Sequence, residues 1–258
     1  MHNRLTGKTA LITGATSGIG LESARQLAEL GVNLILTGRR NDRLKQIKTD
    51  FTGAYGVEID TYAFDVAKLL ACEAFHGQIA DRTIDILINN AGLASGLDRV
   101  QDADIADWEA MIDTNIKGLI YITRLFLPAM ISRNSGHIIN VSSIAGHESY
   151  PGGSVYCASK HAVHAFTRSL KMDIGHTAIR VGMVSPGAVE TEFSLIRFKG
   201  QKEKADAVYA GMTPLTATDI AEIIVFMLNR PAHVNIMDSL VMPVAQSAAT
   251  MVHRDAES

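Results

Sequence analysis

The 258-residue chain lacks most of the features that mark a specialised class of protein. It has two cysteines, Cys72 and Cys157, too few for a disulfide framework or a cysteine-rich zinc site. That scarcity fits a reducing compartment, and a cytoplasmic chain is expected. It has no excess of basic charge: 24 Lys and Arg against 27 Asp and Glu leave a net charge of −3. No nucleic-acid partner is expected, because such binding needs a basic footprint. No apolar run approaches the ~20 residues of a membrane helix. The longest, Ile116 to Met130, is broken by Lys117, Arg124 and Pro128 and reads as a packed amphipathic helix. The polar start, Met1 to Lys8, runs directly into an apolar strand, so no signal peptide is expected. There is no linker, repeat or low-complexity segment.

What remains is a chain 47% hydrophobic and 20% charged, long enough to bury a full core without staples. Short β-rich runs alternate with helical stretches. Strands are expected at Thr9–Thr13, Asn33–Thr37, Thr61–Phe64, Ile84–Asn89, Gly136–Ser142, Ile179–Ser185 and Ile236–Met242. Helices are expected at Ile19–Leu30, Asp42–Asp50, Val66–Ala80, Asp104–Ile131 (bent or stopped near Pro128), Tyr156–Ile174 and Thr218–Asn229. Strands apolar on both faces and separated by helices require a parallel sheet covered on both sides. Right-handed crossovers then give a single-domain, Rossmann-type, doubly wound α/β fold. The one long irregular stretch, about 188–216, reads as a lid over a binding site.

The first strand runs into Thr13-Gly14-Ala15-Thr16-Ser17-Gly18-Ile19-Gly20. Three glycines allow a tight turn and close approach of a pyrophosphate, and the following helix offers unpaired N–H groups to it. The candidate phosphate-binding residues are Gly14, Thr16, Ser17, Gly18, Ile19 and Gly20. The second strand ends in Gly38-Arg39-Arg40, where an NAD site usually places an acid for the ribose 2′-hydroxyl. A guanidinium instead matches a 2′-phosphate, so Arg39 and Arg40 predict NADP(H). Asp65 and Val66 are candidates to meet the adenine, with a helix N-cap as the alternative for Asp65. Asn89, Ala91 and Gly92, in the Asn-Asn-Ala-Gly run, are candidates to border a cofactor ribose.

Tyr156 and Lys160 lie four apart on one helix face, thirteen residues after Ser143. Thr13 to Gly20, Asn89 to Gly92, Asn115, Ser143, Tyr156 to Lys160, and Pro186-Gly187 with Thr191 together resemble the short-chain dehydrogenases/reductases in order and spacing. The resemblance implies a hydride-transfer enzyme with a catalytic tetrad at Ser143, Tyr156, Lys160 and Asn115. It also implies further cofactor contacts at Tyr156, Lys160, Pro186, Gly187, Val189 and Thr191, and a homotetramer. A free phenol has a pKa near ~10. Lys160 is therefore expected to lower that of Tyr156, Ser143 to donate to the substrate oxygen, and Asn115, by its side chain or the local backbone, to hold a water that relays protons to Lys160.

Three further segments narrow the resemblance to the NADP-dependent 3-hydroxy acid dehydrogenases and related sulfoacetaldehyde reductases. They are Gly136 to Gly146, Thr191 to Gly200 and Pro231 to Gln246. Those enzymes take short substrates with an anionic head, which requires a fixed cation near the lid. Arg197 is the candidate anchor; Ser143, His147, Tyr150 and Tyr156 are the other substrate-side candidates. His147 and Glu148 depart from that group's pattern, which leaves carboxylate against sulfonate open. No metal site is expected: His161 and His164 share a helix face, but no acid is near them in sequence.

Overall fold

The computed structural model describes residues 3–254. Seven strands form one parallel sheet: β1 (Thr9–Ile12), β2 (Asn33–Gly38), β3 (Ile59–Ala63), β4 (Ile86–Asn89), β5 (His137–Val141), β6 (Arg180–Pro186) and β7 (Asp238–Val241). Their order is β3-β2-β1-β4-β5-β6-β7. The chain therefore winds outward from β1 in one direction, then returns to β4 and winds outward in the other. The sheet's crevice lies where that direction reverses, at the C-terminal ends of β1 and β4.

Both faces of the sheet are dry. Leu34, Leu36, Ile86 and Ile88 point into one core with Leu27 of α1 (Gly18–Glu29) and Ile224 of the last helix. Leu11, Ile35, Leu87 and Ile138 point into a second core with Phe75, Ile122 and Phe126. Alternate residues of each strand thus serve opposite cores, as a doubly covered sheet requires.

The remaining helices are α2 (Asn41–Tyr55), α3 (Leu69–Gln78), α4 (Ile105–Ile112), α5 (Leu119–Arg133), α6 (Ser154–Asp173), α7 (Glu192–Arg197), α8 (Lys202–Ala207) and α9 (Ala217–Leu228). No helix among the described residues is long and apolar enough to cross a membrane.

Three expectations are corrected. The helix expected over Asp104–Ile131 does not break at Pro128, which lies inside α5. It is interrupted at Asp113–Gly118 by a π-helical turn that joins α4 to α5. Apolar spacing continues across that turn, so periodicity alone cannot reveal it. The 188–216 stretch is not irregular. It carries α7 and α8, and its two ends are tied together: the Leu215 N–H donates to Ala188 O (3.0 Å) and the Glu190 N–H to Leu215 O (2.8 Å). A short antiparallel pair, β8 (Gln246–Ala248) with β9 (Met251–Val252), follows the main sheet and was not expected.

Candidate active site

The C-terminal ends of the strands open into a cleft of about 850 Å³, including its mouth. Gly14, Ser17, Gly18 and Ile19 line one end of it. Gly14 and Gly18 have φ of +66° and +55°, a region that side chains rarely tolerate. A Cβ on Gly14 would also lie 2.9 Å from Ala91 Cα, and one on Gly20 would run into the Asn90 amide. Ser17 is the N-cap of α1 but its hydroxyl caps nothing, so the first-turn N–H groups face the cleft. An open helix N-terminus behind a glycine cradle fits a pyrophosphate group.

Asn90, which sequence reasoning had not singled out, stitches this turn to the end of β4. Its amide donates to Thr13 O (2.9 Å) and Gly14 O (3.1 Å). The available signal was a second asparagine beside a glycine at a strand end. Ala91 and Gly92 line the cleft as expected. Asn89 does not: its amide is buried and donates to Thr123 and Asn140, both at 2.9 Å.

The two arginines after β2 differ. Arg39 is exposed. Arg40 lies across the glycine turn, donating to Thr16 Oγ1 (2.8 Å) and Ser17 Oγ (2.7 Å) and pairing with Glu192 at 2.6 Å. Arg43 binds the other oxygen of the same carboxylate at 2.6 Å. Burial works to raise the Glu192 pKa, but its hydrogen bonds to the two guanidinium groups prevail and hold it at about 2. Asp65 accepts from the Ala67 N–H (3.0 Å), a local turn bond. Val66 is buried, packed where a Cβ on Gly118 would fall, beneath the π turn.

The centre of the cleft is formed by Ser143, Tyr156 and Lys160, with Pro186, Gly187, Val189 and Thr191 on the far wall. Gly187 backs onto Gln246, whose Oε1 accepts from the Ala188 N–H (2.8 Å). Ser143 caps a 3-10 turn, accepting from the Ala145 N–H (3.1 Å). Tyr156 and Lys160 share the buried face of α6 with Val163 and Thr167. The Lys160 ammonium donates to Val141 O (3.0 Å) and stands 5.8 Å from the centre of the Tyr156 ring. Asn115 lies in the π turn. It accepts from the Leu93 N–H (2.8 Å) and donates to Leu93 O (2.8 Å) and Ser159 Oγ (3.0 Å). Both amide N–H groups are thereby used, while Oδ1 keeps one acceptor site beside the backbone of the widened turn. A Cβ on Gly92 would sit 3.3 Å from Asn115 Oδ1 and 3.6 Å from Lys160 Nζ, so glycine keeps open the gap between them.

The electrostatics differ from the simple expectation. Burial raises the Tyr156 phenol above its ordinary value, and Tyr150 adds to the rise. Ser143 and then Arg197 pull it down, without overcoming burial. Burial lowers Lys160 to about 8. Burial thus opposes ionisation of the phenol, and Lys160 is not among the groups that chiefly shift it.

The 188–216 segment contributes Thr191, Glu192, Phe193 and Ile196 to the lining. Thr191 Cβ is 3.4 Å from where a Cβ on Gly18 would be, so this segment and the glycine turn nearly touch. Arg197 donates to Tyr150 Oη (3.2 Å) and Gly96 O (3.3 Å). Its guanidinium lies 5.5 Å and 5.7 Å from the ring centres of Tyr150 and Tyr156. His147 faces the other way, with Nε2 3.2 Å from Asp238 Oδ2 and its ring edge-to-face with that of His164. His164, rather than the His161–His164 pair, thus gains a neighbouring acid. The sequence could not show this, because Asp238 is brought there by β7.

A model of the short-chain dehydrogenase family matches residues 8–201. The chain belongs to that family. It is 48% identical over 257 residues to a Schizosaccharomyces pombe protein named NADP-dependent 3-hydroxy acid dehydrogenase, covering 98% of both chains. It is 44% identical to sulfoacetaldehyde reductase 2 of Chromohalobacter salexigens, covering 95% of this chain and 98% of that one. Among solved structures it resembles the closed form of a serine dehydrogenase complexed with NADP+. The TM-score is 0.88, at 43% identity, over 96% of this chain and 100% of that one.

Proposed function

We propose that the protein is an NADP(H)-dependent oxidoreductase that interconverts a short anionic aldehyde or ketone and its alcohol. The substrates are of the 3-hydroxy acid type, such as malonic semialdehyde and 3-hydroxypropionate, or serine. The observation that carries the substrate class is Arg197. Lys199 and Lys202 of the lid are paired with Asp107 and Asp206. Among the described residues Arg197 binds only neutral oxygens, and its charge lies beside Tyr156. A guanidinium held next to the reacting centre without a counter-ion suits a carboxylate or sulfonate a few atoms from the carbonyl.

When bound, the dinucleotide supplies the hydride. The glycine cradle and the open N-terminus of α1 hold its pyrophosphate, and Arg39 and Arg40 accept the 2′-phosphate. Tyr156, protonated at neutral pH as a phenol ordinarily is, gives its proton to the substrate oxygen in the reductive direction and takes it back in the oxidative one. Ser143 donates a hydrogen bond to the same oxygen, a role worth ~3 kcal/mol of the barrier in comparable sites. Lys160 places positive charge beneath Tyr156, and the π turn at Asn115 holds the proton path open behind Gly92. The 188–216 segment serves as the lid.

The test is NADPH consumption over a panel of malonic semialdehyde, sulfoacetaldehyde, 3-keto acids and acetoacetyl thioesters, with serine and 3-hydroxypropionate in the reverse direction. Turnover of the anionic short aldehydes is expected. Preference for a thioester would assign the protein to ketoacyl reduction, and no turnover of any carbonyl would make it a nucleotide-binding sensor.

A further inference from the structure

We propose that His147, His164 and Asp238 form a binding site for one divalent transition-metal ion of the zinc type, outside the dinucleotide cleft. The three residues come from three elements: the turn after β5, the middle of α6 and the start of β7. One donor atom from each lies within 4.8 Å of the other two. None of the three lines the cleft.

The geometry is near what such an ion needs. Bonds of ~2.0–2.2 Å in a tetrahedron place neighbouring donors roughly 3.3–3.5 Å apart. His147 Nε2 and Asp238 Oδ2 already stand at 3.2 Å. The His164 donor lies within 4.8 Å of both, so a small inward shift of its ring would close the set. The ring packs directly on Gly146, where a Cβ would lie 2.5 Å from its Cδ2 and Nε2, so glycine is what lets His164 stand here.

The surroundings support the same reading. Buried Ser185 donates to Asp238 Oδ1 (2.9 Å), which fixes the carboxylate and leaves Oδ2 for the ion, as outer partners of metal ligands do. The His147 and Asp238 side chains are 28% and 21% exposed, so water can complete the fourth position. The second imidazole stands edge-on to the first at a ring distance of 4.3 Å, and its Nε2 lies 3.4 Å from the Ser185 hydroxyl that holds Asp238, so one serine sets both His164 and the carboxylate. Two imidazoles and a carboxylate form a donor set that favours zinc-like ions over magnesium or calcium. The ion would tie the turn that follows Ser143 to the helix that carries Tyr156 and Lys160.

The test uses the full-length, tag-free chain, stripped with a chelator and titrated with zinc chloride by calorimetry. One equivalent per chain is expected. His147→Asn and Asp238→Asn should each weaken binding at least tenfold, with folding checked by circular dichroism. His161→Asn should leave it unchanged, since among the described residues His161 bonds to Cys157 O on its own helix. Zinc should raise the melting temperature of the parent and not of His147→Asn. Absence of saturable one-site binding would overturn the proposal, as would equal affinity in the parent and both ligand variants. Neither readout depends on turnover, so failure here leaves the proposed reaction untouched.

Discussion

Lys160 and Arg197 both place a positive charge beside Tyr156, one from the floor of the cleft and one from its rim, and they are held in opposite ways. Lys160 is 6% exposed, fixed by α6 and by Val141 O, and its charge is disfavoured by burial. Arg197 ends the six-residue helix α7, bound by Tyr150 and Gly96. The same contrast extends outward. The floor groups Ser143, Asn115 and Tyr156 sit among packed strands and helices, whereas the rim groups Arg40, Arg43 and Glu192 are joined by partly exposed ion pairs. Chemistry that must be positioned to a fraction of an ångström is built on the sheet. The rim rests instead on partly exposed charges that exchange partners at small cost.

The largest effect expected is on the floor. Tyr156→Phe should lower turnover by about 10³-fold or more, while NADPH binding, followed by fluorescence, is retained. Substantial activity in that variant would remove Tyr156 from its role. Arg39→Asp tests the rim. Loss of one charge-assisted contact to the 2′-phosphate, worth ~1.5–3 kcal/mol, should cut the preference for NADPH over NADH by roughly 10–100-fold. An unchanged preference would leave Arg40 alone as the phosphate contact.

Titration separates floor from rim a third way. Lys160 is lowered to about 8 by burial. Between pH 8 and the ordinary lysine value the unfolded chain keeps a proton that the folded chain has released, so stability from this group rises with pH across that window. Below pH 8 the full burial cost applies. Lys160→Met should therefore melt higher than the parent at pH 7, by an amount equivalent to at most ~3 kcal/mol, and the gap should close towards pH 10. A constant gap would mean that the ammonium is not what burial penalises. Glu192 behaves oppositely. Its lowered pKa contributes stability above the ordinary glutamate value and loses it as pH falls towards 2. Because that carboxylate is 37% exposed, solvent screening keeps the contribution small. Glu192→Gln should change the Kd for NADPH only a few-fold and leave the pH profile of turnover in place.

The floor was also the more legible part. Glycines at fixed spacing after an apolar run, and Tyr156 four residues before Lys160, are local patterns that a one-dimensional reading can hold. The parallel, doubly covered sheet follows from the alternation of strand and helix. What could not be read depended on contacts between distant segments. The π turn at Asp113–Gly118 keeps the apolar spacing of a plain helix, and only the packing of Gly118 on Val66 marks it. The six-residue helices α7 and α8 are too short and too charged to show a face. The expectations that Asn89 meets the cofactor and His147 the substrate rest on their neighbours in the chain. Asn89 instead fills a buried polar network, and His147 turns to an aspartate 91 residues away, at Asp238.

The most direct test compares kcat/KM for malonic semialdehyde with that for its neutral methyl ester, in the parent and in Arg197→Ala. The account predicts a loss of roughly 10–100-fold on the anion, mostly in KM, with the ester little changed. An equal loss on both substrates, or none on either, would contradict it.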